Sequence, residues 1–167
     1  MGLFRKRQIG GIAAEALTFA REAAADSHPN EFMGLMRGTR VDRLEALTGA
    51  DLAADALVVT DVLVVPATRS SPVEATIRSN LVPNDGRTVG TVHSHPNGVI
   101  QPSDADRAAF GRGTAHVILG APYGPEDWGA FDREGEPREL PVLEVDLEDP
   151  EAFFDFDQTD IDRELHR

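Results

Sequence analysis

The stretch TVHSHPNGVIQPSDADRAAF, residues 91–110, places two histidines one residue apart, His93 and His95, and an aspartate eleven residues later, Asp106. The run before it, RTVGTVHSH (87–95), is β-branched and reads as a strand that ends in polar residues. In an extended strand, residues i and i+2 share a face. Pro96 keeps His95 extended, so both imidazoles can converge off the strand end. PSDADRAAFGRG (102–113) reads as a helix that starts at Ser103 and stops at Gly111 or Gly113. The intervening loop contains Pro, Asn and Gly and can fold back to bring Asp106 to the same point. Two neutral imidazoles and one carboxylate suit zinc. Three protein ligands leave a fourth position open, the mark of a catalytic site. Zinc at such a site lowers the pKa of its water from ~15.7 to about 7. A general base and an oxyanion donor must accompany it.

Other readings compete for the same residues. Ser103-x-x-Asp106 also fits a helix capping box, and the two roles can coexist. His116, on an apolar strand, reads as a core histidine rather than a fourth ligand. His28 and His166 read as surface residues. Ser94 points away from the histidine pair. Tyr123 and Trp128 read as half-buried loop aromatics, with the lining of a substrate groove as the alternative.

Outward from this stretch, IAAEALTFAREAAAD (12–26) reads as an amphipathic helix with Ile12, Ala16, Phe19 and Ala23 on its buried face. EFMGLMRG (31–38) reads as a strand. Residues 42–57 fit a strand followed by a polar excursion. LVVTDVLVVPAT (57–68) is apolar enough for the centre of a sheet. VEATIRSNLV (73–82) alternates like a strand, PNDG (83–86) is a turn, and AHVILGA (115–121) is a buried strand. WGAFDR and RELPVLEVD, on either side of REGEP, read as a hairpin. Few helices and many strands indicate an α/β (α+β) fold, a sheet with helices packed on it rather than a doubly wound one. Residues 1–8 form an arm, 9–146 the domain, and 147–167 an acidic tail.

The chain has 167 residues, which suits one domain. It has no cysteine, which excludes disulfides, thiolate zinc sites and a cysteine nucleophile. No apolar run approaches the ~18 residues needed to span a bilayer, and no secretory signal opens the chain. The net charge is −13, from 29 acidic and 16 basic residues, of which only Lys6 is lysine. Such a surface repels nucleic acid. It fits a protein of a salt-adapted archaeal cytoplasm, where self-repulsion preserves solubility. An ordinary acidic bacterial protein is the alternative.

His93-Ser94-His95-Pro96 followed by Pro102-Ser103-x-x-Asp106 resembles the HxHPx…PSxxD signature of the JAMM/MPN+ zinc metalloproteases. Glu31, Gly34 and Gly38 in EFMGLMRG resemble the family's E-x-x-G-x-x-x-G strand, in the family's order. Within the family, the chain is most similar to the small archaeal isopeptidases of the desampylase type, which act on ubiquitin-like modifiers. The resemblance implies a curved mixed sheet flanked by helices, an MPN/cytidine-deaminase-like architecture. It implies one Zn2+ per chain, on His93, His95 and Asp106. Glu31 would be the general base and Ser103 the oxyanion donor. The implied partners are ubiquitin-like modifiers and their conjugates, with neither nucleic acid nor membrane. The implied reaction is isopeptide hydrolysis in the cytoplasm. Alternatives are C-terminal trimming of a ubiquitin-fold sulfur carrier and a catalytically silent binding scaffold. RadC-type proteins share a similar stretch, but the −13 charge disfavours a link to DNA.

Overall fold

The computed structural model describes residues 8–48, 50–64, 88–110 and 113–147. The strands are β1 (Ile9–Ala13), β2 (Met33–Arg40), β3 (Leu44–Thr48), β4 (Leu57–Val64), β5 (Thr88–His95), β6 (His116–Gly120), β7 (Trp128–Phe131) and β8 (Val142–Leu147). The helices are α1 (Ala14–Ser27) and α2 (Asp104–Phe110). One curled mixed sheet has the order β3-β8-β1-β4-β2-β5-β6-β7. β1 runs parallel to β4 and β8, and β5 parallel to β6. The other pairings are antiparallel.

The residue alternation along β6 shows how the layers divide. Val117 and Leu119 belong to the main core cluster with Ala16, Leu17, Ala20 and Ala24 of α1. Ile118, between them, packs with Phe110 of α2 and Phe131. Neighbouring strand residues face opposite sides, so α1 and α2 cover opposite faces of the sheet. On β5, Val92 belongs to the α1 side, which puts His93 and His95 on the α2 side.

Several expectations hold and some need correction. β4 is central, between β1 and β2, and the strand read within 42–57 is β3, which lies at the sheet edge. The first helix starts at Ala14, because Ile9–Ala13 is a buried strand. Its buried face is Ala16, Leu17, Ala20 and Ala24, whereas Phe19 is 47% exposed. The expected face was therefore rotated. Ile12 lies in β1 and set the wrong phase. The 128–146 hairpin does not form. Only the bridge Phe131↔Pro137 joins the arms, and β8 crosses to pair with β1 and β3. The strand at 73–82, the turn at 83–86, all but Gln8 of the arm, and all but Leu147 of the tail lie outside the described residues.

Gly90 lets β5 run close to the entry of β6. A Cβ there would stand 1.5 Å from the Ala115 carbonyl oxygen. That neighbour is backbone and cannot rotate away. Gly90→Ala is expected to cost about 3 kcal/mol or more, by overpacking next to the strand that carries the histidines. A shift in the urea midpoint at unchanged slope would measure it.

Candidate metal centre

His93 and His95 end β5 on one face, as their spacing requires. The loop then turns back. Gly98 takes φ 81° and donates its N–H to the His95 carbonyl at 2.9 Å, and the Val99 N–H binds Asn97 Oδ1 at 3.0 Å. This delivers the first turn of α2 to the histidines. There the capping box forms in both directions. The Ser103 N–H donates to Asp106 Oδ2 at 2.8 Å, and the Asp106 N–H donates to Ser103 Oγ at 3.1 Å. Capping and site geometry thus coexist. Because Ser103 Oγ accepts from the backbone, its own proton is left to donate.

Three donor atoms converge. His93 Nε2 lies 3.0 Å from Asp106 Oδ1, His95 Nε2 lies 3.1 Å from Asp106 Oδ2, and the two Nε2 atoms are 3.2 Å apart. His93 and Asp106 are buried at 2% and 4% exposure. Burial pushes the Asp106 carboxyl up, but hydrogen bonds from His93, His95 and the Ser103 N–H outweigh it and hold the group well below the usual carboxylate range. The hydrogen bond to Asp106 pulls His95 upward against its burial, helped by the Val99 carbonyl and the charge of Glu31. His95 Nδ1 sits 2.7 Å from the Val99 carbonyl oxygen, which fixes Nδ1–H and turns Nε2 inward, where a bound cation would replace the proton shared with Asp106. His93 Nδ1 is buried without a partner among the described residues. Two inward lone pairs and one carboxylate are a donor set that one divalent cation satisfies at once. Among the described residues this is the one His/Asp/Glu group that could hold a metal.

Glu31 reaches the site through register. β2 and β5 pair with Met33 opposite His93, and Phe32 and Ser94 extend the ladder. Glu31 therefore falls opposite His95. Its side chain is exposed and lines a groove of about 600 Å³ with His95, Val99, Gln101, Ser103 and Asp106. Glu31, His95, Ser103 and Asp106 thus line one groove, and His93 lies buried behind it against Asp106 and His95.

His116 is a core histidine. It is fully buried and stacks on Phe110 with ring centres 4.0 Å apart. Its Nδ1 accepts from the Thr91 N–H at 3.3 Å and lies 2.8 Å from Thr91 Oγ1. Burial, reinforced by nearby His93 and opposed by Asp132, pushes its pKa down to about 4. The unfolded chain then binds the extra proton first, so stability falls as pH drops from about 6.5 to 4. Between pH 7 and 4, the parent is expected to lose about 3 kcal/mol more than His116→Gln, in urea titrations across that range.

Tyr123 is buried and Trp128 half-buried, and neither lines the groove. His28 is exposed as expected, yet its ring pairs with Tyr123. No sequence signal links these two residues.

A curled mixed sheet with an open two-histidine, one-aspartate centre at a strand end defines a JAMM/MPN-type metalloprotease domain. The chain belongs to the JAMM/MPN+ family: the model of the prokaryotic homologs of the JAB domain matches residues 13–134. It is 59% identical to a "Probable metalloprotease" of Haloferax volcanii over 167 residues, all of both chains. A solved JAB1/MPN domain protein from Archaeoglobus fulgidus is 28% identical, covering 79% of this chain and 97% of that one, with a TM-score of 0.57. A second, described as a JAMM metalloprotease-like zinc site in the proteasome and signalosome, is 29% identical. It covers 81% of this chain and 98% of that one, with a TM-score of 0.53. Among the described residues, no helix is long and apolar enough to cross a membrane.

Proposed function

We propose that the protein hydrolyses isopeptide bonds between ubiquitin-like modifiers and their targets in the cytoplasm, with one zinc ion held by His93, His95 and Asp106. The observation that carries this reading is the convergence of those three donors beside a groove lined by His95, Asp106, Glu31 and Ser103. A bound divalent ion supplies Lewis acidity there, making water more acidic and a carbonyl more electrophilic. The Glu31 carboxylate accepts the proton of the attacking water and passes it to the leaving amine. The Ser103 hydroxyl donates to the carbonyl oxygen as negative charge develops on it. The −13 charge further supports a protein partner over nucleic acid.

The test is cleavage of a ubiquitin-like conjugate before chelation, after chelation and after zinc is returned, at high salt. Cleavage is expected to disappear and then return at about one zinc per chain. Chelator-insensitive cleavage would overturn the metal assignment. Trimming of a free ubiquitin-fold carrier, with the conjugate left intact, would overturn the substrate.

A further inference from the structure

Two hydrogen-bonded pairs lie behind the centre, on the α1 side of the sheet. Ser94 lies between the two histidines but faces away from them and is fully buried. Its N–H donates to the Phe32 carbonyl at 2.9 Å, and its Oγ accepts the Phe32 N–H at 2.7 Å. Tyr123 Oη lies 2.8 Å from His28 Nδ1, with the two rings edge to face at 5.6 Å.

Tyr123 is also, among the described residues, the one non-glycine residue at positive φ, 65°. Glycine would adopt that conformation freely, and a bulky aromatic does not. The position is held by the Tyr123 N–H on the Gly120 carbonyl at 2.8 Å and by Arg21 Nε on the Tyr123 carbonyl at 3.0 Å. A buried aromatic kept in an unfavourable backbone conformation, with its phenol bonded to His28, points to a purpose for that phenol.

Glu31 sits inside this arrangement, three residues after His28 and one before Phe32. Its backbone is thus held on one side by Ser94 of β5, the strand that carries His93 and His95, and on the other by Tyr123 through His28. We infer that Tyr123 and His28 are positioning residues that fix the reach of the Glu31 carboxylate over the metal pocket. This rests on the reading of Glu31 as general base. Neither residue lines the groove, so neither acts on substrate directly.

The test compares the zinc-loaded parent, Tyr123→Phe, His28→Ala and Glu31→Gln on a ubiquitin-like conjugate. Tyr123→Phe and His28→Ala are each expected to lower kcat about 10-fold, with KM and zinc content unchanged, because small displacements of a reacting group are costly. Amide exchange at Phe32 should accelerate in both variants. Combined with Glu31→Gln, neither change should lower the rate further. His28 is exposed, so His28→Ala carries the test should Tyr123→Phe fold poorly. Parent kcat in both variants beside an inactive Glu31→Gln overturns the positioning role alone. A loss that persists in the Glu31→Gln background, or one that tracks zinc loss, overturns it too. Parent activity in Glu31→Gln itself overturns the base assignment and this inference with it.

Discussion

Asp106→Asn is expected to remove metal and activity together. The change is nearly isosteric and leaves one oxygen to accept the Ser103 N–H, so α2 keeps its cap. What disappears is the negative charge to which both imidazoles are bonded, at 3.0 and 3.1 Å. Two neutral rings and an amide neutralise none of a divalent ion's charge. Zinc affinity should fall more than about 100-fold, beyond the cost of altering outer-shell partners. Conjugate cleavage should fall to background. The amide also leaves the buried histidine nitrogens poorly matched, at about 1–3 kcal/mol of stability. Competition against a chromophoric chelator, beside a thermal melt, separates the two effects. Zinc retention at parental affinity would show that Asp106 is not a ligand.

Glu31→Gln should do the opposite, cutting turnover steeply while metal stays bound. Glu31 touches none of the three donor atoms and its side chain is exposed, so affinity and unfolding midpoint should hold within about 0.5 kcal/mol. The amide cannot accept a proton. Losing a positioned general base costs about 10²–10⁴ in kcat, or roughly 3–5 kcal/mol of barrier. The signature is an intact zinc content with kcat reduced at little-changed KM. Glu31→Asp should recover part of the rate, because a shorter carboxylate stays basic but misses its reach. A Glu31→Gln protein that cleaves at the parental rate would remove Glu31 from the reaction.

The centre was more legible than the fold around it. His93 and His95 share a face because of a two-residue spacing on one strand, and Asp106 sits in a first helical turn marked by its own capping box. Both are local relations. The errors came from segments whose partners are remote. IGGIA, with two glycines and a helix-rich sequence after it, carries no strand signal of its own. It is a strand because β4 and β8 flank it. VLEVDL follows WGAF closely in sequence, which favours a hairpin, yet it crosses to the far end of the sheet and pairs with β1 and β3. Periodicity read through Ile12 as if it were helical turned the face of α1 toward Phe19. His28 and Tyr123 are 95 residues apart, and nothing in either neighbourhood predicts their contact.

Residue order alone marked the candidate donor set, the absence of thiol chemistry and the acidic surface, since these depend on identity and on short spacings. Tertiary structure decided that Glu31 stands at the pocket. That placement follows from the β2–β5 register, and a slip of one residue would turn the carboxylate to the opposite face of the sheet. It also decided what holds Glu31 there, because the Ser94–Phe32 and Tyr123–His28 contacts exist only once three distant segments have packed against one another.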